Sequence, residues 1–246
     1  MHPMAWEYPG GDHHKRKEVA MIARKRSIDQ IVDEQVKKWG FEHREKTERS
    51  AAIDMVTISR EPGSGGKLLA KGIAERLGFD LFHQEMIHEM ALSAKVSSRV
   101  LESLDERGLS MLDDWVSAVI KQQHLWPDEY LQHLLKVVST IGRHGKAVLV
   151  GRGANFILPS EKTLRLRVIA PSAFRAKKVA TAFDLPLKEA EQRILNTDSN
   201  RRAFIHKYFH KEISDPVHYD MVINTASIQL EEAVEGICRI IQLKNG

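Results

Sequence analysis

Between Val56 and Lys67 a short apolar run, Val56-Thr57-Ile58, gives way to Ser59-Arg60-Glu61-Pro62 and then to Gly63-Ser64-Gly65-Gly66-Lys67, after which a helical pattern begins. Strand, glycine-rich turn and helix in this order make a phosphate-binding loop. The glycines let the backbone bend with its N–H groups inward, and the helix N-terminus adds partial positive charge where a phosphate sits. The template G-x-x-x-x-G-K-[ST] fits in two registers, and each departs from it. With Gly66-Lys67 as the G-K pair, Glu61 stands for the first glycine and Leu68 for the metal-binding hydroxyl. With Gly65 as the final glycine, Gly66 replaces the lysine and Lys67 takes the hydroxyl's place. Neither register supplies a Ser/Thr ligand for Mg²⁺, so the metal would have to enter with the nucleotide. Three glycines within four residues also suit an ordinary tight turn, and on the loop alone both readings stand.

Other groups suit phosphate chemistry. Arg152 lies between Gly151 and Gly153 behind the apolar run Val148-Leu149-Val150, where an arginine has few uses besides phosphate or nucleotide contact. Arg175 falls in a charged helical run with Lys177 and Lys178, and Arg193 and Arg201 follow further along the chain. An arginine fork binds two phosphate oxygens at once and stays charged, so an arm carrying several can close over a transferring phosphate and shut out water. Each has a plainer alternative. Lys67 and Arg175 could belong to solvated helix faces, one of Arg201 and Arg202 could be surface only, Ser64 could serve the turn, and Asp198 could cap a helix. His83 and His88, with Glu85 and Glu89, raise the question of a metal. Their spacing puts the histidines off a shared helical face, unlike H-E-x-x-H, so a structural role is the better reading and no metal site is expected.

The pattern of elements says what could position these groups. Strands are predicted over 55–59, 79–82, 147–150, 164–170 and 221–224. Helices are predicted over 68–77, closed by Gly78, and over about 230–243, with a long helical region from 83 to about 143 interrupted at Gly108 and Pro127. Strands separated by helices imply an α/β, three-layer fold: a parallel five-stranded sheet with helices on both faces and ligands at the carboxyl ends of the strands. The polar candidates do follow strand ends: Ser59 to Lys67 after the first, His83 and Glu85 after the second, Arg152 after the third, Ser172 and Arg175 after the fourth.

Residues 1–50 read as a charged helical extension of a domain over 51–246. With 11 Lys/Arg and 9 Asp/Glu the extension is nearly neutral, unlike a basic nucleic-acid arm. Ile28, Ile31, Val32, Val36 and Trp39 recur at helical spacing over about 27–39. That stripe must pack either on its own domain, the reading preferred, or on a second copy in a homo-oligomer. The first fifteen residues, with Pro9-Gly10-Gly11, read as frayed. A chain of 246 residues with a net charge of +4 has ample length for a core, and its charge is too modest to argue for nucleic acid. A single cysteine, Cys238, rules out an internal disulfide or cysteine zinc cluster and suits a cytoplasmic protein. No apolar run approaches a membrane span.

Beside Gly151-Arg152-Gly153-Ala154 and Thr197-Asp198-Ser199-Asn200-Arg201, the glycine loop makes the chain resemble the cytidylate-kinase-like family of P-loop nucleoside monophosphate kinases. Ile58-Ser59-Arg60-Glu61 with Gly63-Ser64-Gly65-Gly66 is similar to the opening of that family's divergent branch. Val148 to Gly153 followed by Phe156-Ile157-Leu158-Pro159 resembles its central strand and nucleotide-contacting arginine. Leu166 to Pro171 with Arg175 resembles the strand leading into its lid, and Asp215-Pro216 with Tyr219 to Thr225 its last strand. The resemblance runs in order from about 54 to 241. It implies ATP-dependent phosphoryl transfer to a small acceptor, CMP or dCMP first, with Mg²⁺ and nucleotide substrates. It implies that Gly63, Ser64, Gly65, Gly66, Lys67 and Leu68 surround the donor phosphates, with Arg60 and Lys71 as auxiliary cations. It implies that Arg152 and His83 meet the acceptor, that Arg175, Arg193 and Arg201 belong to a lid over 172–212, and that Asp198 orients a lid arginine or the acceptor sugar. The chain departs from the family's loop lysine at Gly66, from an acidic residue at Gly153 and from an aspartate at His83. A nucleotide-binding regulator without turnover is the rival that these departures suggest.

Overall fold

The computed structural model describes residues 27–42 and 52–246. The stretch read as frayed, and much of the charged extension, lie outside the described residues. Helix α1 (Ile28–Glu42) precedes β1 (Met55–Arg60), α2 (Gly66–Leu77), β2 (Asp80–Phe82) and four helices, α3 (Gln84–Leu92), α4 (Ala94–Leu101), α5 (Glu106–Gln122) and α6 (Glu129–His144). Then come β3 (Ala147–Val150), the short α7 (Ala154–Ile157), β4 (Thr163–Ile169), α8 (Ser172–Phe183), α9 (Leu187–Phe209), β5 (Met221–Asn224) and α10 (Leu230–Asn245).

All strand pairs are parallel, in the order β2-β3-β1-β4-β5. The central strands are apolar because both faces are covered. Alternation sends Val56, Ile58, Val148, Val150, Leu164, Leu166 and Val168 into one core with α2 and α10, and Met55, Ala147 and Leu149 into a second with α3 to α6. In the register Ile58 stands beside Val150 and Leu166, so the carboxyl ends of β1, β3 and β4 finish together. The chain fills one side of β1 with β3 and β2 and the other with β4 and β5. That reversal leaves a crevice at the end of β1, where Arg60 leads into the glycine loop.

The long helical region breaks where side chains cap it. Ser93 Oγ accepts from the Val96 N–H at 3.3 Å, Asp105 Oδ1 from Gly108 at 2.7 Å and Asp128 Oδ1 from Leu131 at 2.9 Å. Gly108 is therefore no interruption. It is the third residue of α5, whose N–H the cap requires, and the break lies before Asp105. The stripe on α1 is spent on its own domain: Val32 and Trp39 are buried, and the Trp39 ring stacks on His144 at 4.0 Å and on Phe82 at 6.2 Å. Arg99 on α4 holds the outer face through Asp33 at 2.7 Å and through Asp29. Helices α8 and α9 form a hairpin whose small cluster of Ala176, Val179, Ala190 and Ile194 is separate from both main cores. This hairpin thus has its own packing, while Ile205 and Phe209 anchor the end of α9 in the main body. Among the described residues no helix is long and apolar enough to cross a membrane.

Candidate active site

The glycine loop is stitched to the strand ends by its polar side chains. Ser64 Oγ donates to the carbonyls of Glu61 at 2.8 Å and Val168 at 3.2 Å, so its hydroxyl is consumed by the turn. The Ser64 side chain thus serves the turn, the plainer of the readings its position allowed. Glu61 accepts from the Ala170 N–H at 3.1 Å and faces Arg175 Nε at 3.2 Å and Arg167 at 3.7 Å. Gly63 has φ +80°, and a Cβ there would lie 2.6 Å from the Arg175 carbonyl oxygen. Only glycine fits that approach. The N–H groups of Gly63, Gly65, Gly66 and Lys67 find no acceptor among the described residues, and all four residues line one cleft. Unpaired inward amides at a helix start suit a polyphosphate.

Three adjoining clefts lie along the strand ends, and two of them take the loop as a wall. The middle one, about 850 Å³ including its mouth, lies within the usual range of small-ligand sites, about 300–1,000 Å³. The loop, Arg60, Lys67, Glu85, Arg193, Thr197 and Arg201 line it. On one side a more apolar cleft lies between Phe174, Val179 and Phe183 of α8 and Ile228 and Leu230 beyond β5. On the other, a third cleft is walled by Arg152, Asn155, Asn200, Phe204 and Tyr219. Arg60 and Arg201 line both the middle and the third cleft.

These cations repel one another in a desolvated place. The Arg60 guanidinium is held well below its ordinary value, first by burial and then by Arg201. Burial also brings Arg201 down to about 10, with Arg167 and Arg152 adding to the fall and Asp198 opposing it. Nε of Arg60 and of Arg152 are buried without a hydrogen-bond partner. Clustered cations with unsatisfied donors favour a bound polyanion. Inorganic tripolyphosphate at a hundredfold excess over its Kd should therefore stabilise the protein by about 2.7 kcal/mol, raising the melting temperature by roughly 5–10 °C, an effect that shrinks with added salt. An unchanged melting curve would count against an anion site here.

The remaining candidates divide. Lys67 lines the middle cleft, with Nζ 3.0 Å from Glu85 Oε1. Leu68 is an exposed apolar wall between two clefts. Lys71, one turn further along α2, pairs with Glu75 at 3.6 Å and lines none of the clefts. Arg193 lines the middle cleft and covers the Phe183 ring at 4.0 Å. Arg175 turns inward instead. Its Nε donates to the Ala170 carbonyl at 2.9 Å, and its Nη1 donates to Pro62 at 3.4 Å and meets Asp198 Oδ2 at 2.9 Å. It lines no cleft, because the loop, β4 and α9 converge on it, and its expected catalytic part becomes one of positioning. Asp198 pairs with Arg175 from mid-helix, which removes the cap reading. Of the adjacent pair, Arg201 points inward and Arg202 is exposed near Glu212. His83 precedes α3 and lines none of the three clefts. The next side chain, Gln84, lines two of them, because the extended-to-helix step turns successive residues to different sides. His88 Nδ1 lies 3.0 Å from Tyr130 Oη, and burial, with Arg152 nearby, lowers its imidazole to about 4. That fits the structural role.

Gln84, Asn155, Arg167, Thr197, Asn200, Phe204 and Tyr219 were not singled out as candidates in the sequence. Arg167 on β4 donates to Ser59 Oγ at 2.7 Å, where Tyr219 Oη also donates at 3.3 Å. Arg167 shares β4 with a second arginine, Arg165, which pairs with Asp220, so the strand's sequence alone did not distinguish the one that turns inward. Phe204 lies one helical turn beyond Asn200 and Arg201, a spacing that could have marked the shared face.

The match to known proteins covers the same region. Residues 55–227 match the model of the cytidylate kinase-like family. Curated relatives include a cytidylate kinase of Ignicoccus hospitalis, 24% identical over 77% of this chain and 99% of its own length. Another, from Desulfurococcus amylolyticus, is 28% identical over 76% of this chain and 91% of its own length. Among solved structures, an uncharacterized protein from Eubacterium ventriosum superposes with a TM-score of 0.62 at 20% identity, covering 78% of this chain and 99% of that one.

Proposed function

Because the chain belongs to the cytidylate kinase-like family, we propose that it transfers the terminal phosphoryl group of Mg-ATP to a nucleoside monophosphate, with CMP and dCMP the first acceptors to try. The observation that carries this reading is the linear order of the three clefts, with Arg60 and Arg201 shared between the middle and the third. The apolar cleft suits the donor base, the amide-lined loop its phosphates, and the Arg152 cleft the acceptor. Mg²⁺ is part of the donor substrate here: Ser64 is consumed by the turn, and neither Lys67 nor Leu68 can replace the usual hydroxyl ligand. In the reaction the bond from the γ-phosphorus to the β,γ-bridging oxygen breaks, with its electron pair left on that oxygen, while an oxygen of the acceptor phosphate forms the new bond. No net proton moves.

The chain's part is positioning and charge. Loop amides hold the donor phosphates, Arg152 and Arg201 draw the acceptor phosphate towards them, and α8 and α9 keep bulk water out. Arg152 sits 5.2 Å from the Phe204 ring centroid, which offers a flat surface for an acceptor base beside the cation. Incubation with Mg-ATP and a panel of nucleoside monophosphates is expected to give the diphosphate of CMP or dCMP fastest, and no transfer to any acceptor would sink the reading. One observation favours a regulator without turnover: the loop lysine is already paired with Glu85. That reading expects nucleotide binding in calorimetry with no product.

A further inference from the structure

The phosphate loop has no lysine at the position before Lys67, and the structure shows what fills the space. A Cβ added at Gly66 would lie 2.6 Å from Arg60 Cβ and 3.0 Å from Arg60 Cγ. Further along the same side chain, a Cβ at Gly151 would lie 2.6 Å from Arg60 Nη1. Arg60 therefore runs from the end of β1 across the first residue of α2 to the end of β3, through a passage that two glycines open. Its Nη2 donates to Gln84 Oε1, and its Nε has no hydrogen-bond partner. The nearby carboxylates are used by other cations: Glu61 by Arg175 and Arg167, Glu85 by Lys67. The side chain is 5% exposed, yet it lines both the phosphate cleft and the acceptor cleft. Lys67 has its charge matched at 3.0 Å, while Arg60 meets only an amide oxygen.

We propose that Arg60 is the catalytic cation of this loop, taking from the strand end the part that a P-loop lysine takes from the helix start, and that Gly66 is its obligatory companion. This rests on the phosphoryl-transfer reading above. A loop lysine reaches the outer donor phosphates. A guanidinium at the border of the two clefts can contact the transferring group and the acceptor together, with a planar fork in place of a point charge. Lysine at 66 and arginine at 60 exclude each other sterically, so the missing loop lysine and the arginine are one exchange. Lys67, latched to Glu85, is left to steady the loop.

The test uses the full chain, with phosphoryl transfer to the acceptor found by the panel and binding of inorganic tripolyphosphate as readouts. Arg60→Ala should lower kcat by about a hundredfold or more. Gly66→Ala, which leaves every charge in place, should also lose most activity by displacing Arg60. Gly66→Lys alone should be inactive, whereas Arg60→Gly combined with Gly66→Lys should recover at least about tenfold over Arg60→Gly. Arg60→Met keeps the buried stem and is measured in case the alanine variant does not fold. Transfer by Arg60→Ala or Arg60→Met within about threefold of the parent, or a double variant no better than Arg60→Gly, overturns the proposal. If the parent transfers phosphate to no acceptor, the functional reading fails and the catalytic part of this one fails with it, and calorimetry then tests the phosphate contact alone. Tripolyphosphate bound by the parent and lost in Arg60→Met supports Arg60 as the loop's phosphate-binding cation, and equal binding, or none to the parent, overturns that too.

Discussion

Arg201→Ala is expected to lower kcat/KM for phosphoryl transfer by about a thousandfold, or ~4 kcal/mol of transition-state stabilisation, while leaving the melting temperature unchanged or slightly raised. The size follows from the place. Arg201 lines both the middle and the third cleft, and its Nη1 donates to the Arg60 carbonyl at 2.8 Å, which aims the guanidinium at the junction. The direction of the stability change follows from electrostatics. Burial and neighbouring guanidinium groups hold Arg201 at about 10, below its ordinary value, so in the ligand-free fold the charged form is disfavoured. A base whose folded value is lowered costs stability when protonated, at every pH below about 10. Removing it relieves that cost and removes the field that the transferring phosphate would use. Arg201→Lys should recover little, since an ammonium lacks the two-oxygen fork and loses its proton more readily when buried. Steady-state kinetics with a thermal melt checks both halves. A variant that melts far lower, or turns over like the parent, contradicts the assignment.

Arg175→Ala should behave in the opposite way. Its guanidinium is buried and ties Glu61, the Pro62 and Ala170 carbonyls and Asp198 into one clamp between the loop, β4 and α9. Removing the cation strands the Asp198 carboxylate and two carbonyls, while Glu61 keeps only Arg167 and the Ala170 N–H. Breaking a buried pair costs about 3–5 kcal/mol, and the partial exposure of both carboxylates argues for the lower end, about 3 kcal/mol. For a protein of this size that lowers the melting temperature by roughly 6–12 °C. Activity should fall through loop disorder, and tripolyphosphate should restore part of the lost melting temperature. Arg175→Ala melting like the parent, with activity abolished, would return Arg175 to the catalytic group. Together the two variants separate an arginine that acts on ligand from one that acts on the loop.

Much of this was legible locally. The strand at 55–60, the glycine turn and the helix behind it follow from a β-branched run, from glycines and from periodicity, all of which act over a few residues. The strand at 221–224 was read at its observed bounds for the same reason. Gly108 misled because a glycine usually marks a break, whereas here Asp105, three residues earlier, had made the helix start. The roles of the arginines were less legible. Arg175, Arg193 and Arg201 share a composition and a helical setting, and the order of motifs put all three in one segment.

By its sequence alone the chain determined that strands and helices alternate, that phosphate-seeking groups follow strand ends, and that the loop lacks a lysine at Gly66 and a hydroxyl beyond it. Those properties reside in neighbouring residues and survive in an isolated segment. The tertiary structure decided which cation does what. Arg175 is drawn into a clamp because Glu61 and Asp198 converge from distant parts of the chain. Arg60 stays without a carboxylate because Glu85 is used by Lys67. Gly66 matters because the end of β1 passes over the start of α2. A charge's partner, solvent and clearance depend on segments a hundred residues apart meeting at one sheet edge, and no local pattern encodes that meeting.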